Sequence, residues 1–171
     1  MTEPAAEPQK SDLKRATGPR AEGQRRLALR VVAMPRDTNP YGTIFGGVIL
    51  SYIDQAGFVE AMAHSQCLWV TASVERVDFA APVHLGDIVS LWTSVGRFGT
   101  RSITIEVDVV VERRGSHEAV PVTKATLTMV SVDADGHPIP FRDAPPACIP
   151  GETPHTEPAA DPPQPTREPP R

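Results

Sequence analysis

Hydrophobic and polar positions divide the chain into one stretch with a helical period and five with a strand period. Between residues 46 and 63, Ile49, Ile53 and Ala56 recur at the spacing of one helix face. Val48, Leu50, Phe58 and Val59 spread apolar character around most of that helix, so it reads as a rod wrapped by other structure. Residues 26–33 place Leu27, Leu29, Val31 and Ala33 on one side and predict a first strand. Residues 69–77 are rich in β-branched side chains and predict a second. Residues 88–95 put Val89, Leu91, Thr93 and Val95 on one face, and residues 102–112 alternate most regularly, with Ile103, Ile105, Val107, Val109 and Val111 inward. A fifth strand over residues 120–132 carries Val122, Leu127, Met129 and Val130. Pro121 near its start predicts an edge position or a late start in the ladder.

Turn-forming residues fill the gaps. Residues 34–42 hold two prolines with Asp, Asn and Gly, and further turns are predicted around Pro82 to Asp87, at 96–99 and at 113–116. Strands joined by short links must run antiparallel. A single helix cannot cover both faces of such a sheet. The simplest solution is an α+β fold: a five-stranded antiparallel sheet wrapped around one long central helix.

Composition trims the ends of this picture. Hydrophobic residues are 40% of the 171, and the deficit is local: ten of the 19 prolines lie in residues 144–171. Residues 1–24 likewise lack an apolar period. The expectation is one domain over residues 25–143 between disordered tails at 1–24 and 144–171. A net charge of −4 argues against nucleic-acid binding by bulk phosphate neutralisation. Cys67 and Cys148 offer no disulfide framework, and neither an apolar leader nor a bilayer-length run is present, which predicts a cytoplasmic protein without membrane insertion.

Candidate chemistry centres on the helix. Asp54 interrupts its apolar character, and either it is buried and must be paired or it marks the one wet edge. Gly46-Gly47 opens the helix, where backbone N–H groups lack intrahelical partners and the dipole favours negative charge. The five histidines have no ligand spacing, so no metal site is expected. Asp133-Ala134-Asp135-Gly136 lacks the later ligands of a calcium loop and reads as a strand-end turn.

Asp37-Thr38-Asn39-Pro40-Tyr41-Gly42-Thr43-Ile44-Phe45-Gly46-Gly47, followed by Asp54, resembles the signature of hotdog-fold acyl-CoA thioesterases of the bacterial short-chain and animal cytosolic types. Val70 to Val74, Phe79, Gly86-Asp87 and Gly99-Thr100-Arg101-Ser102 fit the same pattern. The resemblance implies a homodimer joined sheet edge to sheet edge, a trimer of such dimers, and active sites at the dimer interface. It implies hydrolysis of acyl-CoA to free acid and CoA. Asp54 would be general base or nucleophile, the Gly47 N–H an oxyanion donor, and Asn39 of the partner protomer the group orienting water or thioester. For CoA it points to Gly46, Thr71, Ser73, Gly99 and Ser102, and Arg101 beside them is the best candidate for phosphate contact because a guanidinium suits bidentate phosphate binding, with Arg76, Arg97, Arg113 and Arg114 as alternatives. Coenzyme A is then part of substrate and product, and no separate cofactor is expected. The alternative is a non-catalytic acyl-CoA-binding regulator of the same fold, disfavoured by the retention of Asn39 and Asp54.

Overall fold

The computed structural model describes residues 22–142. Five strands and one helix form in the expected order: β1 (Arg26–Val32), α1 (Gly46–Met62), β2 (Leu68–Val74), β3 (Ile88–Phe98), β4 (Ser102–Glu112) and β5 (Ala119–Val132), with a 3-10 turn at Pro35–Asp37. The strands make one antiparallel sheet in the order β1-β3-β4-β5-β2. The 102–112 alternation holds throughout: Ile103, Ile105, Val107, Val109 and Val111 are all buried. They face α1, whose stripe of Ile49, Ile53 and Ala56 is also buried. Gly57 lets the helix close on the sheet, because a Cβ there would lie 3.0 Å from Leu127 Cδ2.

Three expectations need correction. β5 is not an edge strand but lies between β4 and β2. Pro121 is tolerated because it sits beside a bulge at Val109/Val110, and β2 pairs only with residues beyond it, from Leu127 onward. Residues 96–98 belong to β3, which a bulge between Val95 and Arg97 carries onward, so the turn begins at Gly99. Chain order begins earlier than residue 25, since Gly23 N–H donates to Val95 O at 2.9 Å. Most of the two tails lies outside the described residues. Among the described residues no helix is long and apolar enough to cross a membrane.

Candidate active site

Helix α1 presents two unlike faces. Ile49, Ile53, Ala56 and Glu60 point into the core, while Gly47, Leu50, Ser51, Asp54, Gln55, Phe58 and Val59 are exposed in the single chain. Asp54 is therefore the wet-edge residue of the two alternatives, and the expectation of a helix wrapped on most sides fails along this face. The buried carboxylate is Glu60, at 1% exposure.

Asp54 opens onto a groove of about 590 Å³ between α1 and the edge strand β2, walled by Phe58, Val59, Trp69, Val70, Thr71 and Met129. The Thr71 hydroxyl donates to Asp54 Oδ1, which leaves Oδ2 without a partner among the described residues. Thr71 reaches the carboxylate because it pairs with Met129, whose side chain faces the core. Ser73 does not share that face. A register shift between Thr71 and Ser73 pairs Ser73 with Thr128, on the side of the sheet away from Met129. The resemblance pointed to Thr71 and Ser73 alike, and this bulge puts them on opposite sides of the sheet.

The start of α1 is open. Phe45 at the N-cap offers no side-chain acceptor, and the Gly46 and Gly47 N–H groups have no hydrogen-bond partner among the described residues. Nothing lies within 4 Å of where a Gly47 Cβ would be, whereas one on Gly46 would touch the Phe79 ring at 3.5 Å. Asp54 lies seven positions after Gly47, a rise of roughly 10 Å. Within one chain the anion-binding end of the helix and its carboxylate therefore cannot meet at one carbonyl group.

Asn39 is occupied in its own loop. Its Oδ1 accepts from Tyr41 N–H at 2.9 Å and Thr43 N–H at 3.2 Å, and its Nδ2 donates to Thr43 Oγ1 at 2.7 Å. One Nδ2 hydrogen remains for another acceptor. At the β3–β4 hairpin, Gly99 N–H donates to Ser102 O at 2.8 Å, and a Cβ on Gly99 would fall 2.7 Å from Ser102 Oγ. That turn accounts for both residues. Arg101 is exposed, and its side chain has no partner among the described residues. The pairings Ser102–Val130–Val70 set this hairpin two strands, about 10 Å, from the groove wall. Of the alternative cations, Arg76 pairs with Asp78 at 2.7 Å and Arg113 is tied to Asp87.

Residues 41–116 match the Thioesterase superfamily. The acyl-CoA thioester hydrolase YciA of Salmonella typhimurium is 38% identical over 121 residues, spanning 69% of this chain and 91% of that protein. The chain belongs to the hotdog-fold acyl-CoA thioesterase family. Solved members share its architecture. Cj0915, a hexameric hotdog fold thioesterase of Campylobacter jejuni, is 45% identical and overlaps 67% of this chain and 89% of its own at a TM-score of 0.64. The acyl-CoA hydrolase of Staphylococcus aureus, solved with butyryl coenzyme A and coenzyme A, is 31% identical, with 66% and 68% covered and a TM-score of 0.60.

Two clusters of this thioesterase escaped the sequence reading. Glu60 takes a hydrogen bond from Thr93 Oγ1 at 2.6 Å, pairs with His64 Nε2 at 3.1 Å, and lies 2.6 Å from Arg26 Nε. Burial alone would push its carboxyl up. The His64 and Thr93 hydrogen bonds and the Arg26 charge outweigh that and hold it below the usual range. A signal existed: Glu60 continues the Ile49–Ile53–Ala56 stripe by one more step of four. The second cluster is Asp87, 2% exposed, with His84 and Arg113. Burial again opposes its charge, but the His84 N–H, the Arg113 guanidinium and the Arg114 N–H hold the carboxyl below its ordinary range. No local pattern links Asp87 to Arg113, which arrives from another hairpin. Asp133, Asp135 and His137 lie close together, but Asp133 Oδ1 accepts the N–H groups of Asp135 and His137 at 3.0 and 2.8 Å, as a strand-end turn requires.

Proposed function

We propose that the protein hydrolyses acyl-CoA thioesters at sites built between two protomers, each combining Asp54 of one chain with the Gly47 N–H and Asn39 of the other. One observation carries this reading. A carboxylate held by Thr71 at the mouth of an apolar groove sits two helical turns from the free N–H groups of its own helix. A second helix running against the first brings the two together.

The surface for that second copy is present. Leu50, Phe58 and Val59 on α1, with Val70 and Val74 on β2, are each between 38% and 46% exposed. They flank the unpaired edge of β2, which has a ladder partner on one side only. The hexameric relative supports three such dimers.

In the reaction, the thioester carbonyl oxygen takes the Gly47 N–H, where the helix dipole stabilises developing negative charge. Asp54 Oδ2 either removes a proton from water as it attacks the carbonyl carbon or attacks that carbon itself, giving a mixed anhydride that water then opens. In both routes the C–S bond breaks, CoA leaves as a thiol, and the chain's own groups and water suffice. A single turnover in 18O-water separates the base route, which labels the product acid at once, from a nucleophile route in which water opens the anhydride at the Asp54 carboxyl carbon, which puts the label in Asp54 and leaves that first acid unlabelled.

The test is a panel of acyl-CoA thioesters followed by thiol release. Asp54→Asn should lower kcat by about 10²- to 10⁴-fold while CoA inhibition is unchanged. Tight acyl-CoA binding without turnover by the wild-type protein would replace the hydrolase reading with that of a binding regulator.

A further inference from the structure

We infer that Asp87 is a positioning residue for the active-site loop that carries Asn39, acting through the backbone of residues 83–87. The inference rests on the assignment of Asn39 to the site.

The loop between β1 and α1 is clamped to this turn at both ends. At its start, the Ala33 N–H donates to Asp87 O at 2.9 Å and the Ala33 carbonyl oxygen accepts from the Gly86 N–H at 3.0 Å. At its end, Ile44 N–H donates to Val83 O at 2.9 Å, and Thr43 forms an antiparallel bridge with His84. Thr43 is the residue that grips Asn39, through its Oγ1, its N–H and its carbonyl oxygen, the last accepting Asn39 N–H at 2.7 Å. The position of Asn39 is thus set by the shape of residues 83–87.

That shape depends on the Asp87 carboxylate. Its Oδ2 accepts the His84 N–H at 2.9 Å and closes the turn on itself, while Gly86 supplies the positive φ of +85°. The same carboxylate anchors the turn to the β4–β5 hairpin through the Arg113 guanidinium and, at 3.4 Å, the Arg114 N–H. Arg113 also donates to His84 Nδ1 at 2.9 Å. A buried ionised acid with these partners holds one geometry, and removing its charge leaves Arg113 and the turn free to shift. Misplacement of a positioning group by an ångström can cost on the order of a hundred-fold in rate.

The experiment is a double-mutant cycle on the full chain with Asp87→Asn and Asn39→Ala, measuring kcat on the best thioester of the panel and thermal unfolding at one protein concentration. Asp87→Asn should lower kcat about ten-fold when Asn39 is present and less than about two-fold when it is alanine. Its shift in unfolding temperature should be the same in both backgrounds. Equal kcat losses in both backgrounds would reduce Asp87 to a fold-stabilising residue and overturn the inference. If Asn39→Ala alone leaves kcat unchanged, the assignment of Asn39 falls first and takes the inference with it. Should Asp87→Asn not fold, Arg113→Gln, which removes the guanidinium facing the carboxylate, replaces it in the same cycle with the same expectations.

Discussion

Replacing Glu60 with leucine probes the one buried charge that joins α1 to the sheet. The carboxylate is 1% exposed, and its partners arrive from three elements: Arg26 from β1, Thr93 from β3, and His64 just past the helix end. Glu60→Leu strands the Thr93 hydroxyl and leaves the Arg26 guanidinium with only Val59 O, at 2.8 Å. Losing one partner of a buried pair costs about 3–5 kcal/mol. The Arg26 side chain retains 11% exposure, so the lower end applies, about 3 kcal/mol. At roughly 4 °C per kcal/mol for an ordered unit of this size, unfolding should drop by about 12 °C. Urea denaturation at fixed protein concentration measures the free energy directly. Adding Arg26→Met to Glu60→Leu should recover part of the loss, since an apolar pair of similar volume avoids the stranded charge. The pH dependence has a definite sign. A carboxyl held below its unfolded value contributes stability that is complete above that value, about 4.3, and fades as pH falls through its folded value. The gap between wild type and Glu60→Gln should therefore be full at pH 6 and shrink below about pH 4. A Glu60→Leu protein within about 0.5 kcal/mol of wild type at pH 7 would refute the reasoning.

Other substitutions separate chemistry from fold. Thr71→Val deletes the hydroxyl that holds Asp54 Oδ1; kcat should fall about ten-fold, the equivalent of one hydrogen bond to a charged group, with the unfolding temperature little changed. Gly47→Ala meets open space in the single chain and should unfold no earlier than wild type, because alanine is the better helix former by roughly 0.5–1 kcal/mol. The same change should cut turnover by about ten-fold or more if the partner's substrate carbonyl approaches that N–H; unchanged turnover would remove Gly47 from the site. Leu50→Glu or Phe58→Glu should dissociate the assembly in size-exclusion chromatography with light scattering and abolish turnover together if, as proposed, each site is built from two chains.

The strands were legible because their faces are chemically unlike: residues 102–112 alternate without a break and are buried without a break. The sequence lost its grip where one residue changes the register. The bulge before Ser73 has no compositional mark, and Pro121 marks an irregularity without saying that it is a bulge, yet each bulge decides which side of the sheet a residue serves. On α1 the signature residues Gly46, Gly47 and Asp54 could be placed by number, but not by environment. A helix apolar on most sides reads the same whether its own sheet or a second chain does the wrapping. Leu50, Phe58 and Val59 lie on the face that the chain's own sheet leaves open, as does Asp54, whereas Glu60 lies on the face toward the sheet. Asp87 was visible as a turn residue and as part of the family pattern, but not as a buried charge, because its partner Arg113 is brought by tertiary folding.

This division of α1 into two faces bears on how the proposed site can vary. The side toward the sheet holds Ile49, Ile53, Ala56 and the Glu60 cluster, and it anchors the fold of each chain. The outer side holds Gly47, Asp54 and the apolar residues around them, none of which fills the chain's own core. Changes to the outer face act on assembly and chemistry with small effects on the folding of one chain; changes to the inner face do the reverse. The Asn39 loop is the exception. It is the one proposed part of the site whose placement leads back to a buried charge, from Thr43 through the His84 backbone to Asp87. Rate and stability should therefore be coupled at that loop and separable along the outer face of the helix.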